Sequence, residues 1–396
     1  MSNGNNSGRM AADSTLGNLS GWPHSQYRKR KLDLSFTGSG SEYFRIWIVN
    51  LLLCLVTLGL YLPFAKARRL SYFYSNTLID GQALGFHGDP WKMLRGFLLL
   101  ALLTLAYGVA ARFSPLSALA AFALLCGLWP ALWRAGLQFR LANTSWRGLH
   151  LGFNGSSAGA YAALLPLYVP ALLMVAGQTL FAPDSPDPRA PLPPLLGLSM
   201  AASFLLMLLM LPWGVARIKR YQHGGYTYAD QQTELAVPTR RFYGIGLKAL
   251  LLTLLPLALL GALAAIAALV HKPLLFWLML ALPLAYLLYF ALITPYVSAR
   301  LQNLVWNGTA SDLLQLQSDL PARPLAWLTL KNWLLTALTL GLYRPFAAVH
   351  TARMRLQAMS LMVEGDLDGW VVRQCIAQDD AAGDAAGDFF GIDMGL

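Results

Sequence analysis

Eight apolar stretches, each long enough to cross a hydrocarbon core at about 20 helical residues, lie near 44–64, 93–113, 115–133, 159–181, 194–215, 245–270, 273–296 and 325–346. No other feature narrows the fold so far. Lipid offers the backbone no hydrogen bonds, so a segment buried in it satisfies its own N–H and C=O groups within a helix or a closed barrel. Runs this long and continuous select the helix. Composition agrees: of 396 residues only 12% are charged and 56% are hydrophobic. An average soluble domain carries about 25% charged residues. Soluble globular and disordered classes are excluded for the bulk of the chain. The expected fold class is an all-α polytopic membrane protein with short cytoplasmic β-hairpins and internal helix-pair repeats.

Charge is scarce, but its placement carries orientation. Lys and Arg total 30 against 19 Asp and Glu, a net charge of +11. The loop after the first stretch holds Lys66, Arg68, Arg69 and Lys92; later odd-numbered loops hold Arg134, Arg140 and Arg147, then Arg217, Lys219 and Arg220, then Arg300 and Arg323. The even-numbered loops hold only Arg112, Arg189 and Lys272. The positive-inside rule makes the odd-numbered loops cytoplasmic. The run Arg28-Lys29-Arg30-Lys31 and the segment bearing Arg344, Arg353, Arg355 and Arg373 are basic as well. A first or eighth stretch that crossed fully would place its basic tail outside. Either the tails break the rule, or the end stretches enter and leave on one side, which is permitted where protein buries their broken backbone. The expectation is six full spans between two re-entrant or membrane-embedded end segments, with both termini cytoplasmic. The layout is a disordered basic tail over 1–35, a membrane domain over 36–374 and a disordered acidic tail over 375–396.

The chain also resembles itself. Pro63 to Gly88 aligns with Pro130 to Gly155 without a gap, matching Asn76 with Asn143 and Gly81 with Gly148; weaker copies start at Pro212 and Pro295. Arg68, Arg217 and Arg300 each follow their proline by five positions. The first and eighth stretches match best. Asn50 corresponds to Asn332, Thr57-Leu58-Gly59-Leu60-Tyr61 to Thr339-Leu340-Gly341-Leu342-Tyr343, and Pro63-Phe64-Ala65 to Pro345-Phe346-Ala347. One unit reads as a helix reaching the interface at its proline, where the chain bends. A basic-aromatic continuation suited to lipid headgroups follows. Asn76-Thr77 ends it, and a hairpin turns at Asp80-Gly81.

Phe36-Thr37-Gly38-Ser39-Gly40, Tyr43-Phe44, Asn50 and Thr57-Leu58-Gly59-x-Tyr61-x-Pro63-Phe64-Ala65 resemble the N-terminal signature of the YjgN-like family of bacterial inner-membrane proteins. The match continues through Tyr72, Asn76, Gly81 and Phe86, and covers 34–374. The family commonly has Trp where Phe64 stands. The resemblance implies a multi-pass inner-membrane location. It implies no established activity, so no catalytic residue is carried over.

The residues themselves point to no reaction. Phosphate-cradling loops, zinc-binding His pairs and a Gly-x-Ser-x-Gly elbow are missing from the sequence. No cofactor or metal is implied, and nucleic acid is not an expected partner. Asn50 and Asn332 are the polar exceptions inside apolar stretches. They serve either an interhelical hydrogen bond or the polar lining of a shared cavity. Gly59 and Gly341 allow either close packing or a helix break. Lys66, Arg68, Arg69, Arg217 and Arg300 are the candidate headgroup-facing cations. Pro63, Pro130, Pro212, Pro295 and Pro345, with Asn76, Asn143, Gly81 and Gly148, define the repeat. The expected function is non-enzymatic: a membrane protein engaging anionic lipid or protein partners through a basic cytoplasmic face. The alternative is an uncoupled channel or transporter for a small or apolar solute.

Overall fold

The computed structural model describes residues 29–181, 191–270 and 272–378. The first 28 residues, the proline-rich 183–189 loop and the acidic end of the chain lie outside the described residues.

Strand β1 (Arg30–Phe36) leads into a helical hairpin, α1 (Gly40–Val56) and α2 (Leu62–Ser75). The chain returns through β2 (Thr77–Ile79), β3 (Gln82–Ala83) and β4 (Gly85–Phe86). Helices α3 (Pro90–Phe113) and α4 (Pro115–Ala142) follow, then β5 (Thr144–Trp146) and β6 (Leu149–Phe153). Next come α5 (Ser157–Leu164), a 3-10 turn (Leu165–Tyr168), α6 (Val169–Phe181) and α7 (Pro194–Gly224). Strands β7 (Tyr226–Tyr228), β8 (Gln231–Gln232) and β9 (Glu234–Leu235) precede α8 (Thr239–Val270) and α9 (Lys272–Asn307). Strands β10 (Thr309–Ala310) and β11 (Leu314–Ser318) lead to a second helical hairpin, α10 (Ala322–Leu338) and α11 (Arg344–Gln357), then β12 (Met359–Val363). A last helical segment begins at residue 367.

Local chemistry sets the long helices. The Asp89 carboxylate caps α3 by accepting from Trp91 N at 2.9 Å, and Pro90 occupies the first turn, where no N–H is needed. Ser114 alone separates α3 from α4, and with Ser117 it forms a reciprocal capping box. Among the described residues five helices are long and apolar enough to cross a membrane: Pro90–Phe113, Leu119–Ala142, Ser157–Phe181, Pro194–Gly224 and Thr239–Leu269. In the most apolar window of the first and of the last, no residue is fully buried by protein, which leaves apolar side chains on the outer surface. Such a surface requires lipid or another chain around it.

The eight stretches are not eight helices. The first breaks at 57–61 and the eighth at 339–343, each becoming the turn of a hairpin. The fourth breaks at Leu165–Tyr168, where Pro166 and Pro170 each withhold an N–H. By contrast, Pro130 and Pro212 sit inside continuous helices rather than ending them at an interface.

The expected all-α class requires correction. The short hairpins fuse into two antiparallel sheets, one of seven strands in the order β3-β2-β1-β12-β11-β10-β9 and one of five in the order β4-β5-β6-β7-β8. Every basic odd-numbered loop contributes strands to one of them. The largest buried cluster lies here, with Leu32, Leu149, Tyr228, Leu361 and Val363 from the strands and Leu367, Trp370 and Val371 from the last helical segment. Residues 30–35, expected in a disordered tail, form most of β1 near the centre of the larger sheet. Residues 375–378, also assigned to a tail, continue the last helix. Gly365 takes φ +113, as Gly81 takes φ +77, but the chain after it coils into a helix instead of a strand.

Candidate functional site

Each helical hairpin leaves and re-enters the larger sheet. The first runs between β1 and β2, which pair from Leu34↔Ile79 to Phe36↔Thr77; the second runs between β11 and β12, which pair from Leu314↔Val363 to Ser318↔Met359. The flanks of each end segment therefore lie on the same side. The return leg is the basic-aromatic stretch, not half of the apolar run.

The two turns are built alike. In the first, Gly59 N bonds Cys54 O at 2.7 Å and Leu58 N bonds Leu55 O at 3.3 Å; in the second, Gly341 N bonds Thr336 O at 2.7 Å and Leu340 N bonds Ala337 O at 3.1 Å. This is the Schellman pattern that closes a helix C-terminus. Thr57 Oγ1 donates to Leu53 O and accepts from Tyr61 N, joining the two legs, and Thr339 does the same with Leu335 O and Tyr343 N. Gly59 and Gly341 adopt φ +90 and +95. A Cβ at Gly341 would meet nothing within 4 Å, and one at Gly59 only Leu62 at 3.6 Å. These glycines serve the break, not close packing. The tips are apolar and bare, with Leu58 94% and Leu340 95% exposed.

Close packing falls instead where the base of the first hairpin meets α11. A Cβ at Gly40 would run into the Phe346 ring, which stacks near Phe44 at 5.8 Å. Arg353 donates to Gly38 O at 2.8 Å, and Tyr72 Oη donates to Ser39 O at 2.9 Å. The segment Phe36-Thr37-Gly38-Ser39-Gly40 is thus the joint between α1, α2 and α11.

The helix-ending pairs are also alike. Asn76 and Asn143 donate back to Tyr72 O and Phe139 O at 2.8 and 2.7 Å, and Thr77 and Thr144 to Phe73 O and Arg140 O. Beyond them Asp80-Gly81 and Arg147-Gly148 turn with positive φ. The alignment sets Asp80 opposite Arg147, and the fold brings them together at 3.3 Å. Arg30 bonds the same Asp80 carboxylate at 2.6 Å and Asp368 at 3.1 Å, and Arg147 also pairs with Asp368. The Arg147 guanidinium lies over the Trp146 ring at 5.0 Å. These four charged residues join the two sheets to the last helix.

The candidate cations lie elsewhere. Lys66, Arg68, Arg69 and Arg300 are exposed and Arg217 is half-buried. Arg68 lies over Tyr61, Arg69 over Phe73, Arg217 over Trp213 and Arg300 over Tyr296, at 4.9 to 5.8 Å. Among the described residues none of the five forms an ion pair; every described pair involves Lys29, Arg30, Lys31 or Arg147. The prolines Pro63, Pro130, Pro295 and Pro345 are buried and Pro212 is half-buried.

Asn50 and Asn332 are 7% and 4% exposed, and the Oδ1 of each has no hydrogen-bond partner. Asn332 Nδ2 reaches Thr351 Oγ1 at 3.3 Å and Ala347 O at 3.4 Å, both on its own hairpin rather than the matching one. Asn332, Gly341 and Arg69 meet at a groove of about 1170 Å³ between α2, α9 and the second hairpin; Asn50 does not line it. Arg344 and Arg355 also line it. Neither was singled out in the sequence, although both belong to its last basic segment. Among the described residues no group of three His, Cys, Asp or Glu side chains could hold a metal ion.

The chain matches the family described as bacterial protein of unknown function (DUF898) over residues 31–389. It is 26% identical over 362 residues to the inner membrane protein YjgN of Salmonella typhimurium (strain LT2), covering 85% of this chain and 89% of that one. The inner membrane protein YjgN of Escherichia coli (strain K12) is 30% identical over 148 residues, covering 37% and 36% of the two chains. No solved structure matches. From the first strand to beyond the last helical segment, then, this chain with its membrane-length apolar helices belongs to the DUF898 family.

Proposed function

We infer that the protein is an integral inner-membrane protein that binds anionic lipid headgroups through a basic cytoplasmic face, without catalysing a reaction. The observation that carries this is the set of unpaired cations: Lys66, Arg68, Arg69, Arg217 and Arg300 have no carboxylate partner among the described residues. Arginines beside aromatic rings at the ends of apolar helices suit the headgroup layer. Each is worth about 1 kcal/mol near an anionic surface. The name of the Salmonella relative supports the inner membrane. Both sheets and both tails are assigned to the cytoplasm, because the basic loops all converge on the sheets. We read the two hairpins as copies of one unit, each dipping into the membrane and returning.

The test removes charge where no acid is left behind. The triple variant R68Q/R217Q/R300Q is purified and its retained lipid analysed by native mass spectrometry. Wild type is expected to retain several phosphatidylglycerol molecules in preference to phosphatidylethanolamine, and the variant to retain fewer of them. An unchanged number of retained phosphatidylglycerol molecules would defeat this reading. Cysteines placed in the two tails should label only from the cytoplasmic side.

A further inference from the structure

The groove beside the second hairpin is not explained by a headgroup-facing surface alone. Its walls are mostly apolar, formed by residues such as Leu334, Ala337 and Ala348, yet three arginines line it: Arg69 from α2, Arg344 and Arg355 from α11. Nε of Arg355 is already committed to Gln302 Oε1 at 2.8 Å. Arg69 and Arg344 have no carboxylate partner among the described residues. Both of their charges act on the Tyr43 hydroxyl, which burial pushes up and these two cations pull back, so they share one locality. The volume exceeds the roughly 300–1,000 Å³ of an ordinary small-molecule pocket.

Cationic rim and apolar wall describe one kind of occupant. We propose that this groove holds a single anionic phospholipid, its phosphate met by Arg69 and Arg344 and an acyl chain along the apolar wall. Phosphatidylglycerol has both parts: one negative phosphate and acyl chains. Phosphatidylethanolamine lacks the net charge. The assignment deepens the lipid-binding reading and rests on it; of that reading's five cations it uses only Arg69, and it adds Arg344. Arg68, Arg217 and Arg300 do not line the groove.

The experiment is lipid titration of the delipidated full-length protein in detergent, read by native mass spectrometry. Phosphatidylglycerol, phosphatidylethanolamine and water-soluble glycerol phosphate are the probes. Wild type should bind one phosphatidylglycerol tightly, ahead of weaker further copies, and glycerol phosphate should not displace it. R69Q/R344Q, both exposed positions, should weaken that first copy about 30-fold. A337W, which narrows the groove along its apolar wall and leaves every charge in place, should weaken it as well. R68Q/R217Q/R300Q should keep the first copy and lose only the weaker ones. The proposal is overturned if no first copy is distinguishable, if R69Q/R344Q binds it as wild type does, or if glycerol phosphate competes. A first copy lost only in R68Q/R217Q/R300Q would sink the groove and leave the broader lipid-binding reading standing.

Discussion

Glycine at the hairpin tips is demanded by a dihedral angle, not by space. At φ +90 and +95, Gly59 and Gly341 would each impose roughly 1–2 kcal/mol on an L side chain. Gly59→Ala and Gly341→Ala should each lower stability in detergent by that amount, read as a lower thermal midpoint, although a Cβ there meets almost nothing. An unchanged midpoint would show that the turn relaxes. Asp368 gives a pH prediction. The hydrogen bond from Arg147, and then the charges of Arg147 and Arg30, hold its carboxyl below the usual range. A value lowered in the folded state makes the contribution complete above the ordinary carboxylate value of about 4 and lost as pH falls through the lowered one. The last helix should therefore become susceptible to acid-active protease below about pH 4, and Asp368→Asn should be cut to the same extent at every pH across that range. The partner of Asp368 was half legible in the sequence. Asp80 and Arg147 hold the same place in two aligned copies with opposite charge, and that opposition is a contact signal. What was not legible is that Asp368, far along the chain, completes the group.

Among elements, the helical hairpins were the more readable and the strands the less. Thr-Leu-Gly-Leu-Tyr announces a turn because Gly accepts a positive φ and the Thr hydroxyl can bridge two backbone groups. Most strands are two or three residues long, too short for a period of two to register; β1 does alternate, with Leu32, Leu34 and Phe36 inward, but its partner β12 comes from the opposite end of the chain. The last helix did leave a trace: Leu367, Trp370 and Val371 have helical spacing and all are buried. The groove was out of reach, because it forms only where α2, from one end, lies beside α10 and α11, from the other. For the hairpins the element-scale prediction concerns depth. The 17-residue α1 spans about 25 Å, and its tip is apolar. Nitroxide labels at Leu58 and Leu340 in liposomes should relax with oxygen and not with a water-soluble nickel chelate. Ready access by nickel would place the tips in water.

For the whole molecule, the seam between β1 and β12 joins the first strand to the last. Lys31 pairs with Met362 across it. Cysteines at these two positions, with Cys54, Cys126 and Cys375 replaced by alanine, should oxidise to an intramolecular disulfide in the purified protein. The reaction is expected to hold an N-terminal and a C-terminal fragment together after cleavage at a protease site inserted between residues 182 and 190. Separation of the fragments without reductant would refute the pairing. The same seam imposes an order on biogenesis. At about 5–20 residues per second, β1 is synthesised roughly 15–65 s before β12 exists. Throughout that interval the intervening helices enter the membrane while one edge of β1 has no neighbour. The sheet can be sealed only after residues 359–363 have been made. A product truncated before residue 359 lacks the strand that covers this edge, so synthesis past β12 is recorded in the fold as a closed seam.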